Sequence, residues 1–211
     1  MTDSRSLDGT WELFCGDHRL EDLDGLAPRP VRVPGLWEAQ GLLELDGVAW
    51  YRRRFHLDDP GGHWTLRFGA VMDLAEVYLN GRPLGGNDLP FTPFELDPSA
   101  ALHAGVNELA VRVTDPPAGA PEHLRLPHGK QGWANHVFPS PPSLYLTYGG
   151  IWQPVTLRRH GPVAIRRLRC SSDPDDLTVA VRAHNTGRDR LGESDGTEQA
   201  TAAAALGRGD R

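Results

Sequence analysis

The sequence has two cysteines among its 211 residues, Cys15 and Cys170, and no long apolar run. Two distant thiols do not supply a disulfide framework, and their spacing matches no zinc-binding pattern. No stretch approaches the roughly 20 apolar residues of a membrane-spanning helix, and residues 1–9 lack the apolar segment of a signal peptide. We therefore expect a cytoplasmic protein with no membrane partner, and no cofactor or metal is indicated.

The sequence also lacks an excess of basic residues. It has 22 Lys and Arg and 28 Asp and Glu, which give a net charge of −6. A nucleic-acid partner is not expected, since phosphate binding usually requires a clustered basic excess. The one dense basic run, Arg52-Arg53-Arg54, lies in a strand-like stretch whose alternate side chains face opposite ways. This pattern predicts a solvated or salt-bridged face. A buried Arg53 needs a carboxylate partner, and Asp73 and Glu76 are candidates for pairing with an arginine such as Arg53.

Helical periodicity is nearly absent, while 24 glycines and 18 prolines divide the chain into short segments. Apolar and polar residues alternate over residues 64–68, 75–79 and 109–113, as in strands with one face in a core and one in water. Asn80-Gly81 suits a type I′ hairpin, because both turn positions need positive φ. These features predict an all-β fold, an antiparallel sandwich of two sheets.

The strand pattern predicts three regions. A first domain covers residues 1–160, and a second, incomplete one covers 161–187, with strands at 163–170 and 177–181. Beyond these strands large apolar residues almost disappear, so we expect no third strand. The tail at 188–211 is expected to be disordered.

A series of short stretches has the order and spacing of a known family. They are Val33–Trp37, Trp50–Phe55, Leu66–Asp73, Ala75–Gly81, Phe91–Phe94, Gly105–Val113 and Gly149–Val155. Over roughly residues 7–160 the chain resembles the N-terminal domain of family 2 glycoside hydrolases, the β-galactosidase, β-glucuronidase and β-mannosidase group.

The resemblance implies a galactose-binding-like jelly roll, then an immunoglobulin-like domain of which residues 161–187 are the first strands, then a catalytic (β/α)₈ barrel. Such a barrel needs about 250 residues, so these 211 residues do not contain it. The expected function is the non-catalytic sugar-binding portion of an enzyme that hydrolyses O-glycosyl bonds, inactive by itself.

The chemistry supports this expectation, because a retaining glycosidase needs two carboxyl groups about 5–5.5 Å apart. The resemblance implies that both come from barrel strands, one of them within an Asn-Glu pair. The one such pair here, Asn107-Glu108, precedes a predicted strand and is explained by the jelly-roll pattern. No catalytic residue is assigned.

Candidate sugar contacts come from the resemblance and from a long loop. Family members place an acidic residue a few positions before the Gly-Ile pair, where this chain has Leu144, or Ser143 if the alignment slips by one. That departure leaves the sugar open. Aromatic rings stack on the apolar faces of sugars, so the substrate-binding candidates are Trp133, Asn135, His136, Tyr148 and Trp152. The competing interpretation is that these aromatics fix the 114–149 loop to the sandwich.

Three functional alternatives remain at this point. The chain is a piece of a family 2 glycosidase, a free-standing carbohydrate-binding module, or a subunit that associates with a separately encoded barrel. The expected partners are accordingly a glycoside and a catalytic barrel, in cis or in trans.

Overall fold

The computed structural model describes residues 3–43, 45, 47–115, 148–161, 163–172, 176–185 and 197–205. The chain divides into two units, one of Ser4–Arg158 and one of Arg159–Arg211 with Met1–Asp3. Within the described residues, no helix is long and apolar enough to cross a bilayer.

The described chain up to residue 160 consists of strands and two short 3₁₀ helices. The strands are β1 (Asp3–Ser6), β2 (Gly9–Cys15), β3 (Arg29–Val33), β4 (Gly47–Leu57), β5 (His63–Phe68), β6 (Leu74–Leu79), β7 (Arg82–Asn87), β8 (Phe94–Leu96), β9 (Gly105–Asp115) and β10 (Val155–His160). The 3₁₀ helices span Leu20–Gly25 and Glu38–Gln40.

These strands form two sheets, which confirms the predicted all-β, galactose-binding-like jelly roll. One sheet has the order β1-β10-β5-β8, and the other has the order β3-β2-β4-β9-β6-β7. The longest ladder is antiparallel and joins β4 to β9, from Gly47↔Asp115 to Leu57↔Gly105. β4 and β9 are therefore the centre of the larger sheet.

The main core is formed by the inward-facing residues of both sheets, as the period-2 pattern requires. Its largest fully buried side chains include Trp11, Trp37, Tyr51, Trp64 and Phe68. Each large apolar side chain removed from water stabilises the fold by about 1.5–3 kcal/mol. The core accounts for the alternation seen in the sequence.

A second, smaller cluster lies on the other face of the larger sheet. It contains Phe14, Leu23, Trp50 and Ala110, all buried. Leu23 comes from the first 3₁₀ helix, and the Trp50 indole Nε1 donates a hydrogen bond to the carbonyl of His18 at 2.9 Å. The 3₁₀ segment therefore covers part of a sheet face that would otherwise be in water.

The same face carries the ion pairs that the arginine run predicts. Arg52 binds Glu12 at 2.7 Å and Asp24 at 2.6 Å, and Arg54 binds Glu108 at 2.9 Å. The hydrogen bond and charge of Arg52 hold the pKa of the Asp24 carboxyl below its usual value. Arg52 is buried despite its charge, because its partners compensate it.

The expected carboxylate partner of Arg53 is not observed. Glu76 pairs with an arginine as expected, but this arginine is Arg112, at 2.5 Å. Arg53 donates to the carbonyl oxygen of Thr10. No carboxylate of the described residues lies within 4.0 Å of Arg53. The reason is its position beside Gly9, where a backbone carbonyl is the nearby acceptor.

The predicted hairpin turn is present between β6 and β7. Asn80 and Gly81 have φ values of 51° and 78°, and Leu79 pairs with Arg82 across them. The Asn80 amide donates to Asn107 Oδ1 at 2.8 Å and accepts from the Glu108 N–H at 2.8 Å. The Asn-Glu pair therefore has the structural role that the jelly-roll pattern predicts.

The second unit contains a three-stranded antiparallel sheet in its described residues, where the sequence predicts two strands and a disordered tail. Its strands are β11 (Val163–Ser172), β12 (Asp176–Asn185) and β13 (Thr197–Ala205), with β12 central. The prediction was wrong over Thr197–Ala205, which pairs with β12 along its length. Backbone groups alone make this ladder, so a search for large apolar residues misses it. The rest of the predicted tail lies outside the described residues.

Candidate functional site

The segment Gly149–Trp152 is fixed by backbone hydrogen bonds. Met72 and Gly150 exchange two bonds of 3.0 Å, and Trp37 N–H donates to the Gly149 carbonyl at 3.1 Å. Gly35 N–H donates to the Ile151 carbonyl at 2.9 Å. Two separate parts of the chain, residues 35–37 and Met72, therefore fix the backbone of this segment.

The two glycines are required by close packing. A Cβ at position 149 would lie 1.7 Å from the indole ring of Trp37. Gly150 has φ of 113°, and a Cβ there would lie 2.7 Å from the Tyr51 hydroxyl. Side chains at either position would displace core aromatics, so only glycine permits this approach.

Glu38, which is half-buried, and Tyr51, which is buried, lie against this segment. Glu38 Oε1 accepts a hydrogen bond from the Gly149 N–H at 3.0 Å. Burial raises the pKa of the Tyr51 hydroxyl well above its ordinary value, so this phenol stays protonated at neutral pH. The hydrogen bond from the Gly149 N–H to Glu38 therefore helps to hold the segment in place.

The outer side of the segment presents an aromatic surface. The Trp152 indole Nε1 donates to the Pro90 carbonyl at 3.0 Å, and its ring meets Phe91 edge-on with centroids 6.0 Å apart. Phe91 is 51% exposed and the neighbouring Leu89 is 52% exposed. We call Leu89, Phe91 and Trp152 the aromatic edge.

The aromatic edge has the properties of a ligand-contacting surface. Aromatic rings with accessible faces stack on apolar parts of ligands, and a few polar groups beside them fix orientation. The hydrogen bond from Trp152 to Pro90 restrains its ring before any ligand arrives. Such restraint lowers the entropy lost on binding.

Two of the five predicted site residues lie within the described residues. Tyr148 and Trp152 lie at either side of the Gly149–Ile151 segment, both half-buried. Trp133, Asn135 and His136 lie outside the described residues. Leu144 and Ser143 also lie outside them.

Sequence reasoning did not select Phe91 as a site residue. The Phe91-Thr92-Pro93-Phe94 stretch contributed to the family resemblance, but its two phenylalanines have different roles. Phe94 stacks on Phe68 with centroids 4.9 Å apart, whereas Phe91 stays half-exposed beside Trp152. The contact between Phe91 and Trp152 joins residues 61 positions apart, and no local pattern reveals it.

A metal centre is not formed by the described part of the chain, where no group of three or more His, Cys, Asp or Glu side chains is placed to hold an ion. The three histidines of the long loop, His123, His128 and His136, lie outside that part.

A family profile described as "Glycosyl hydrolase 2 galactose-binding domain-like" matches residues 43–155, more than half of the chain. The chain is 31% identical to an exo-beta-D-glucosaminidase of Streptomyces avermitilis over 168 residues, which are 75% of this chain and 17% of that protein. It is 32% identical to a beta-glucuronidase of Formosa agariphila over 75% of this chain and 15% of that protein.

Solved structures show the same fold. The beta-glucuronidase of Faecalibacterium prausnitzii superposes with a TM-score of 0.68 at 24% identity, over 98% of this chain and 41% of that one. A beta-glucuronidase of Ruminococcus gnavus gives 0.64 at 21% identity. The chain thus spans less than a fifth of the curated relatives named above and about two fifths of these solved chains.

Proposed function

Because the chain belongs to the family 2 glycoside hydrolases and matches their N-terminal, galactose-binding-like domain, we propose that it is the carbohydrate-binding, non-catalytic portion of an enzyme that hydrolyses O-glycosyl bonds. The family match over residues 43–155 carries this proposal. The aromatic edge, whose three residues lie within that match, is the proposed contact surface.

The proposed contacts follow from the chemistry of sugars. A pyranose ring has apolar C–H faces that stack on Trp and Phe, and hydroxyls that need polar neighbours. Trp152 is held by Pro90, and Phe91 leaves half of its surface in water. Tyr148 adds a hydroxyl four residues before Trp152.

Calorimetric titration of the 211-residue chain with methyl β-glycosides of galactose, mannose, glucuronic acid and glucosamine tests the proposal. We expect binding of at least one sugar, and we expect Trp152→Ala to weaken it by about tenfold, or ~1.4 kcal/mol. Val106→Ala is the matched control, because Val106 is 58% exposed and is not part of the aromatic edge. A folded chain that binds none of the four sugars would contradict the proposal.

A second proposal is that the chain acts together with a catalytic barrel, in the same polypeptide or in a separate one. The supporting observation is that the chain spans only 17% and 15% of the two curated relatives described above. We expect the 211-residue chain to leave nitrophenyl glycosides uncleaved, and a barrel-containing partner that co-purifies with it to cleave them. Hydrolysis by the chain alone would overturn this proposal.

The alternative of a free-standing carbohydrate-binding module is distinguished by the same two experiments. It predicts sugar binding with full affinity in the isolated chain and no co-purifying glycosidase. A pocket shared with a barrel instead predicts that the partner raises the affinity for glycosides.

A further inference from the structure

A groove with a volume of about 360 Å³ opens on the larger sheet. It is distinct from the aromatic edge, since the two share no residue. The residues that line the groove are Thr10, Trp11, Glu12, Pro28, Pro30, Arg52, Arg53 and Arg54. Cavities of this size are typical of small-molecule sites.

The groove exists because two neighbouring strands separate. β2 pairs with β4 from Glu12↔Arg52 to Cys15↔Ala49. The earlier residues of β2 continue to pair with β3, as far as Gly9↔Val33. β4 meanwhile continues along β9 to Leu57↔Gly105, so the start of β2 and the end of β4 leave a gap between them.

Arg53 lies at this gap, and its hydrogen-bond partner differs from those of its neighbours Arg52 and Arg54. Arg52 binds Glu12 and Asp24, and Arg54 binds Glu108 and Asp24. Arg53 donates to the Thr10 carbonyl, and its Nε is buried without a hydrogen-bond partner. Within the residues that the structure describes, no carboxylate lies within 4.0 Å of it.

One arginine of the lining favours an anion. Arg52 and Arg54 are paired with Glu12, Asp24 and Glu108, so Arg53 is the arginine of the groove that has no carboxylate partner among the described residues. A guanidinium presents planar N–H donors that match a carboxylate better than any other side chain. Pro28 and Pro30 are exposed and add an apolar wall.

We propose that this groove binds a carboxylate-bearing small molecule of monosaccharide size, with Arg53 as its charged contact. The carboxylate takes the place of the ion-pair partner that Arg53 lacks in the described chain, and the prolines contact the apolar part of the ligand. The site is independent of the aromatic edge and of the function proposed for it.

An NMR titration of the ¹⁵N-labelled chain with D-glucuronate and with its uncharged isostere D-glucuronamide tests the proposal without any change to the protein. We expect glucuronate to shift the amide signals of Gly9, Thr10 and Arg53 and the Nε–H signal of Arg53. Glucuronamide should bind at least about tenfold more weakly, because it lacks the charge. Equal affinities, or shifts confined to other residues, would overturn the proposal.

Two substitutions then assign the contact. Arg53→Met should reduce the affinity for glucuronate by about tenfold or more, and Arg53→Lys should retain part of it because the charge remains. Arg67→Met is the matched control, since Arg67 is a partly exposed arginine of β5 beside Glu95. If Arg53→Met does not fold, the comparison of the two ligands still decides the question.

A substitution in the aromatic edge tests whether the groove and the aromatic edge are separate sites. Trp152→Ala should leave glucuronate binding at the groove unchanged while it weakens the binding of neutral glycosides. Loss of both on this one substitution would overturn the separate groove.

Discussion

The two units of this chain are both built from antiparallel strands, yet they are held together differently. In the first unit, buried apolar side chains extend from Leu7 to Leu157 and include three fully buried tryptophans. In the second unit, Ile165 and Leu168 are 67% and 60% exposed. A hydrogen-bonded ladder and a packed core are thus separate properties. Burial of the core is the dominant favourable contribution to the free energy of folding.

The stabilities of the two units can be measured separately, because all the tryptophans lie at or before residue 152. Tryptophan fluorescence therefore reports on the jelly roll, whereas far-UV circular dichroism reports on strands of both units. Unfolding curves that coincide indicate one cooperative transition, and curves that separate indicate two. The following predictions alter one unit and ask which curve moves.

The largest effect is expected for Trp37→Ala. Trp37 is fully buried and packs against Gly149, so its loss leaves a cavity and lowers the free energy of unfolding by about 4 kcal/mol. Urea denaturation followed by tryptophan fluorescence measures the change. Trp152→Ala, at the half-exposed edge, should cost much less, and equal losses would show that the core assignment is wrong.

Gly149→Ala should have the next largest effect, about 3 kcal/mol, because its Cβ would overlap the Trp37 ring. The same urea titration measures it. Gly25→Ala is the control, since a Cβ there meets no atom within 4 Å, and its stability should stay within about 0.5 kcal/mol of the parent. An unchanged midpoint for Gly149→Ala would mean that the segment is not packed as described.

Asn107→Ala should lower the free energy of unfolding by about 2 kcal/mol. Asn107 is completely buried, its amide donates to the His103 carbonyl at 2.8 Å, and it accepts from Asn80. Removing it leaves backbone and side-chain groups unpaired in the interior. Thermal unfolding with Asn87→Ala as the control, which loses one bond to Leu89, would show whether burial makes the difference.

The smallest effect is expected in the second unit. Leu168→Ala should change the fluorescence transition by less than about 0.5 kcal/mol, since Leu168 is mostly in water. The dichroism curve should also keep its midpoint. A loss comparable with that of Asn107→Ala would show that the second unit has a core of its own.

The sequence was sufficient for the jelly roll because its strands alternate apolar and polar residues and its hairpin carries Asn80-Gly81. It was insufficient for Thr197–Ala205, whose alanines and threonines bring no apolar alternation but still pair along β12. It offers Trp152 as a candidate through the family resemblance, but it does not reveal the contact of Trp152 with Phe91, which depends on how distant segments pack. The bond from Arg53 to a backbone carbonyl was not predicted for the same reason, because the separation of β2 from β4 is a property of the assembled sheet.

The position of β1 also has a consequence for synthesis of the chain. β1 neighbours β10 in its sheet, and the Leu7 N–H just beyond β1 donates to the Val155 carbonyl. A ribosome that adds about 5–20 residues per second needs ~7–30 s to travel from one strand to the other. During that interval the nascent chain holds an unpaired strand edge, which other chains can join.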